Sequence, residues 1–286
     1  MKTVRLDTGT MRYQDQGEGV TLLFMHGALS NYQTWRKLIG PLSKSYRCIV
    51  PDLPLGAHSK AMPEEADLSP TGISKHLVAL LEALALEQVV IVANDTGGAY
   101  AQIFAASHPD KVAGLVLSNC DCLDVFPPKT FSMLQKMINF PGYTFVMAQL
   151  FKIESFLTTP NVMGLLSNTL TGEQIRHLYV APFINSAKVR RDFQKVVNTW
   201  SEKHTLAAAD LLKSYVNPVL ILWGDEDKKL FPMALGRRLA DIFQQVEFYS
   251  VKGAMTYVQE DQADEFVRLL KVYLDINFKL EKKRAS

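Results

Sequence analysis

Gln88-Val-Val-Ile-Val-Ala-Asn-Asp-Thr-Gly-Gly-Ala-Tyr-Ala-Gln-Ile-Phe-Ala-Ala-Ser-His-Pro109 is the stretch around which the chain is organised. Residues 89–93 form an unbroken apolar run of the kind a strand buried on both faces needs. It passes without a linker into an Ala-rich helical pattern over 97–107. Asp95 stands at the corner. A strand that turns at once into a helix strains and crowds its corner residue, so small neighbours are needed, and Ala93, Gly97 and Gly98 supply them. Asp95 is then either a helix cap or a carboxylate presented at the end of a buried strand, and the rest of the chain must separate the two readings.

With 286 residues, 48% of them hydrophobic, the chain is long enough for one large α/β domain or one such domain with an insertion. The net charge of +2 is spread along the chain. The one basic cluster, 279–284, reads as a solvated tail, and nothing suggests a nucleic-acid footprint. Cys48, Cys120 and Cys122 lack metal-ligand spacing, and an odd count is unlike a secreted disulfide framework. The N-terminus has an acidic residue, Asp7, where a signal peptide needs its apolar centre, and no window reaches the length of a membrane span. These features predict a soluble cytoplasmic protein with no nucleic-acid or membrane partner, and leave a homodimer open.

Strand pairs are expected at 3–15 around Asp7-Thr-Gly9, then strands at 20–25 and 47–51, with a short helix at 35–42 between them. Ser69-Pro70 opens a long amphipathic helix to about Leu86, with Ser as the cap and Pro in the first turn. Strand 112–118 follows the Asp95 corner and its helix, and the strand–helix alternation implies a parallel sheet. From 125 to 215 the strands vanish and short apolar helices are broken by Pro127, Pro128, Pro141, Pro160 and Pro182. This predicts a helical cap inserted in a core made of 1–124 and 216–286. Strand 218–224, a helix at 232–243, strand 246–251 and a helix at 262–278 complete the core.

The spacing of Ala93, Asp95, Gly97 and Gly98 resembles the G-x-S-x-G elbow of the α/β hydrolases, with Asp95 in the nucleophile's place. Other landmarks follow in the family's order: His26-Gly27 after the first long buried strand, Trp223-Gly-Asp-Glu-Asp227 as an acid loop, and the insertion where cap domains are placed. The resemblance covers nearly the whole chain. It implies the α/β-hydrolase fold, a mostly parallel doubly wound sheet with an inserted helical cap. It also implies an oxyanion hole from the Thr96 and Ala28 N–H groups, with Leu29 as the fallback donor, and His26 as a structural brace. No cofactor and no metal site are implied.

An Asp at the elbow resembles the haloalkane dehalogenase, fluoroacetate dehalogenase and epoxide hydrolase branch, in which the carboxylate attacks carbon and forms an ester. That chemistry suits an sp³ centre because no proton has to be removed from the nucleophile first. No subtype is matched. Thr96 stands where haloalkane dehalogenases carry Trp and fluoroacetate dehalogenases Arg, and the cap tyrosines Tyr143, Tyr179 and Tyr215 are candidates for an epoxide hydrolase's ring-protonating pair. The larger departure is at the family histidine, whose slot in Lys252-Gly-Ala-Met-Thr-Tyr-Val-Gln-Glu-Asp261 is taken by Thr256. A threonine hydroxyl does not titrate near neutrality and is no general base.

Asp227 takes the family's acid position, with Asp225 beside it. Asp121 or Asp124 after the preceding strand is an alternative acid, and His58, in a loop near the strand ends, an alternative base. His76, His108, His177 and His204 are read as structural or as cap residues. The leading expectation is a hydrolase acting on a small, largely apolar molecule through Asp95, with Asp227 and Thr256 in the remaining triad positions. The alternatives are a lyase- or isomerase-like enzyme using Asp95 as acid/base, and a non-catalytic ligand-binding protein on the same fold. Phe126, Phe131, Met133, Phe140, Phe151 and Met163 make the cap apolar enough for such a pocket.

Overall fold

β5 (Val89–Asp95) is buried along its whole length because its alternate side chains feed two separate cores. Ile91 and Ala93 join Leu23, Met25, Leu115 and Ile221 on one face of the sheet. Val90 and Val92 join Leu22, Phe24, Val116 and Leu220 on the other. The computed structural model describes residues 1–6 and 9–278. Asp7 and Thr8 of the expected first turn, and the basic cluster 279–284, lie outside the described residues.

β1 (Lys2–Leu6), β2 (Gly9–Gln16), β3 (Thr21–Met25), β4 (Arg47–Pro51), β5, β6 (Val112–Cys120), β7 (Val219–Gly224) and β8 (Val246–Val251) form one eight-stranded sheet in the order β1-β2-β4-β3-β5-β6-β7-β8. β2 runs antiparallel to both its neighbours; the other pairs are parallel. From β3 the chain winds one way to β4, then returns through α2 (Pro70–Ala83) to β5 on the other side of β3. The carboxyl ends of β3 and β5 therefore flank a topological switch point, where a crevice opens. Their register pairs Met25 with Ala93, which sets His26-Gly27 beside Asp95.

Local chemistry accounts for the elements that frame this crevice. Ser69 accepts from the Gly72 N–H and Pro70 occupies the first turn of α2, which stops at Ala83, earlier than expected, as Ala85 turns to a φ of 51°. α3 (Thr96–Ser107) starts directly from β5. α1 (Arg36–Leu42) follows a short turn, Tyr32–Trp35, capped by the Asn31 side chain.

Between β6 and β7 the described residues form helices and turns, among them α4 (Ser132–Met137), α5 (Tyr143–Leu150), Ala187–Asn198 and Glu202–Leu212. Polar anchors hold this segment over the strand ends. Leu178 O accepts from Asn31 Nδ2 at 2.7 Å and Gln33 Nε2 at 2.8 Å. The buried Glu260 carboxylate takes Arg36, Lys37 and the Tyr179 hydroxyl together. His58 Nε2 lies 3.0 Å from Asp192 Oδ2, tying the loop after β4 to Ala187–Asn198. A buried charge left alone costs several kcal/mol, roughly, so each of these groups locks its partners in place.

Candidate active site

Asp95 has φ 54° and ψ −138°, a region that non-glycine residues enter at a cost of about 1–3 kcal/mol. Its neighbours explain why the corner tolerates this. A side chain at Gly97 would strike the Met25 and His26 carbonyls, one at Gly98 the Cys120 side chain, and one at Gly27 the Asp95 carboxylate itself. The chain thus closes tightly enough for the carboxylate to lie on the Gly27 backbone. Ala28 and Thr96 both face the same space as Asp95. Leu29 also lines it, but its N–H is committed to Leu55 O at 3.0 Å, which removes it as a donor.

His26 fixes the loop that carries Ala28. Its Nε2 accepts from the Leu53 N–H at 2.8 Å, so the proton sits on Nδ1, which donates to Gly27 O at 2.9 Å. Burial drives its pKa down to about 4, so the ring is neutral, as this pattern of donor and acceptor requires.

A cavity of about 310 Å³ opens in front of Asp95. Asp95, Thr96 and Asp121 supply its polar end, and Phe131, Met147, Phe151, Met163 and Phe193 much of its apolar wall. Burial raises the Asp95 carboxyl to about 7, with the Thr96 N–H opposing and Asp227 reinforcing the rise. Burial likewise holds Asp121 well above the carboxylate range, and the charge of Asp95 adds to it. Asp121 Oδ1 is buried without a hydrogen-bond partner. Two carboxyls thus face one apolar space, and burial disfavours the charge on each.

The other residues singled out from sequence fall elsewhere. Thr256 Oγ1 donates to Asp227 Oδ2 at 2.5 Å, but neither residue lines the cavity. The Tyr257 N–H donates to Leu166 O at 2.6 Å, so the chain after Thr256 is clasped to the helical segment. Asp225 is exposed and accepts from the Gly253 N–H. His58 is occupied by Asp192 and does not line the cavity, and Asp124 pairs with Arg238 on the surface. Of the cap tyrosines, Tyr143 reaches the cavity; Tyr179 is held by Glu260, and Tyr215 donates to Val112 O. Among the apolar candidates, Phe131, Met133, Phe151 and Met163 line it. Phe126 packs on Tyr100 and Trp200, and Phe140 is 64% exposed.

Sequence reasoning did not reach several polar groups here. Asn119 donates to Asp227, and Asn94 binds Thr256 O at 2.7 Å while accepting from Gln259 Nε2 at 2.9 Å. Thr130 and Asn161 also line the cavity. Lone amides and hydroxyls at these positions carry no local pattern; the pairing of β5 with β6 is what gathers Asn94, Ser118 and Asn119. Cys48, Cys120 and Cys122 are free and buried, and among the described residues no three His, Cys, Asp or Glu side chains form a metal-binding group.

Comparison with known proteins places this geometry in context. The family model described as alpha/beta hydrolase fold matches residues 20–263. A 2-hydroxy-6-oxononadienedioate/2-hydroxy-6-oxononatrienedioate hydrolase of Paraburkholderia xenovorans is 26% identical, with 96% of this chain and 94% of that protein covered. A cis-3-alkyl-4-alkyloxetan-2-one decarboxylase of Shewanella oneidensis is 23% identical over 92% of this chain and 85% of its own. The crystal structure of a haloalkane dehalogenase loop variant from Bradyrhizobium elkanii superposes with a TM-score of 0.81 at 19% identity, covering 99% of this chain and 98% of that one.

Proposed function

The chain belongs to the α/β hydrolase fold family, and on that premise we propose that it is a hydrolase of a small, largely apolar molecule in which Asp95 is the nucleophile. The observation that carries this is the Asp95 carboxyl itself, held at a strained strand-to-helix corner and lining, with Thr96, an apolar cavity of about 310 Å³. In the first step one carboxylate oxygen bonds to an electrophilic carbon, and the leaving group departs with its electron pair. In the second, water adds to the resulting ester carbonyl, gives up a proton, and releases the product alcohol and the Asp95 carboxylate. The hydrolase relative supports the class of reaction. Thr256 stands in the histidine slot, so the second step lacks its usual base.

A second reading is favoured by Asp121. A protonated carboxyl and a carboxylate facing one substrate are an acid/base pair, which suits a lyase or isomerase that consumes no water. The oxetan-2-one decarboxylase relative supports this reading, because decarboxylation needs no water either.

Intact-protein mass spectrometry after exposure to haloalkanes, epoxides and activated esters tests the nucleophile. A mass increase on the peptide holding Asp95, abolished by Asp95→Asn, is the expected result. Turnover of a substrate without an adduct under rapid quench would overturn it and leave the acid/base reading.

A further inference from the structure

We infer that the outer face of α4 and α5 docks on an anionic lipid surface, with the mouth of the Asp95 cavity turned toward the lipid. Met133, Phe140, Phe145, Val146, Leu150 and Ile153 are 37–64% exposed within one short stretch of chain. Met133, Val146 and Leu150 also line the cavity, so its opening lies within this apolar face. The turn from α4 to α5 projects Phe140, Pro141 and Gly142, all exposed. Apolar side chains gathered at a rim are unusual for a surface that meets only water.

Charge identifies the occupant. Between Asp124 and Glu154 the chain has no acidic residue and three lysines, Lys129, Lys136 and Lys152. All three are exposed, and none forms an ion pair among the described residues. The flanking carboxylates are already taken, Asp124 by Arg238 and Glu154 by Arg176. A second copy of the chain docking through the same face would bring lysines against lysines. Anionic headgroups instead match the lysines while the aromatic and aliphatic side chains enter the acyl boundary. An apolar substrate would then pass from the bilayer into the cavity without crossing water. The absence of a helix long enough to span a membrane, among the described residues, bears on insertion and not on surface docking.

Flotation with vesicles of phosphatidylglycerol and phosphatidylcholine in equal parts tests this. The protein should float with these vesicles, be released by high salt, and stay behind with vesicles of phosphatidylcholine alone. Phe140→Ser with Phe145→Ser should abolish flotation at unchanged melting temperature, and each of Lys129→Glu, Lys136→Glu and Lys152→Glu should weaken it about fivefold or more. Asp95→Asn should float like the parent, which separates this inference from the reading of the active site. Folded protein that ignores the anionic vesicles overturns it, as does a dimer in sedimentation velocity that Phe140→Ser and Phe145→Ser dissolve while vesicle binding is absent.

Discussion

Thr256 Oγ1 donates a hydrogen bond to Asp227 Oδ2 at 2.5 Å, and neither residue lines the cavity in front of Asp95. Asp227 also accepts from the Leu230 and Phe231 N–H groups at 3.0 and 3.1 Å and from Asn119 Nδ2 at 3.4 Å. Its oxygens are fully employed in joining the loop after β7 to the chain after β8. Thr256→Val deletes a donor to a buried carboxylate and should lower stability by about 1.5–3 kcal/mol in denaturant titrations. The rate at which Asp95 forms an adduct should stay within about twofold of the parent, since no cavity contact changes. Lost chemistry at full stability would instead place Thr256 in the reaction.

Asp95 should make the protein less stable as pH rises. Its carboxyl titrates near 7 in the fold against 3.8 ordinarily, because burial disfavours the charge. Between those values the native state binds more protons than the unfolded chain, so unfolding free energy falls with rising pH. Asp95→Asn has no proton to lose. It should match the parent near pH 4 and be more stable by a few kcal/mol, roughly, at pH 8. Adduct formation by the parent runs the other way and should climb through pH 7 as the carboxylate appears. A stability gap that does not widen between those pH values would refute the buried-acid description.

His26 contributes a slope of opposite sign. Its pKa of about 4 lies below the ordinary 6.5, so between them the native state binds fewer protons, and stability is present above this window and lost as pH falls through it. His26→Leu leaves the Leu53 N–H buried without an acceptor, at about 1–3 kcal/mol, and frees the loop that carries Ala28. The gap between parent and variant in thermal melts should shrink from pH 7 to pH 4. The rate of attack by Asp95 should drop in parallel, as an unbraced Ala28 no longer holds its place.

What the sequence reveals follows from how local each signal is. The corner at Asp95 is legible because a strand, a strained residue and a helix occupy adjacent positions and demand small neighbours at fixed spacing. Glu260 shows the opposite case: its partners Arg36, Lys37 and Tyr179 lie far off in the chain, and only the folded sheet brings them to one carboxylate. His58 attracts attention from its loop near the strand ends, yet its ring is spent on Asp192, a pairing that depends on how the helix Ala187–Asn198 packs. Phe140 counts among the apolar residues expected around the pocket and turns out to be exposed in the turn between α4 and α5, because apolarity alone does not say where a turn points its side chain.

Asp121 is the remaining group in the cavity able to take a proton from water, and its state depends on Asp95. Burial raises the Asp121 carboxyl well above the carboxylate range, and the charge of an ionised Asp95 raises it further. Once Asp95 has become a neutral ester the repulsion is gone, and Asp121 ionises more readily just when the ester must be cleaved. Asp121→Asn should therefore leave the first step within about tenfold of the parent while slowing release of the ester by the ~10²–10⁴-fold that general-base assistance supplies. By rapid-quench mass spectrometry the adduct should build up in the variant, and the rise of its decay rate with pH seen in the parent should be lost. An Asp121→Asn protein that forms and clears the adduct at the parent's rates would show that water is activated without this carboxyl. One that forms no adduct at all would place Asp121 in the first step, as the acid that protonates the leaving group.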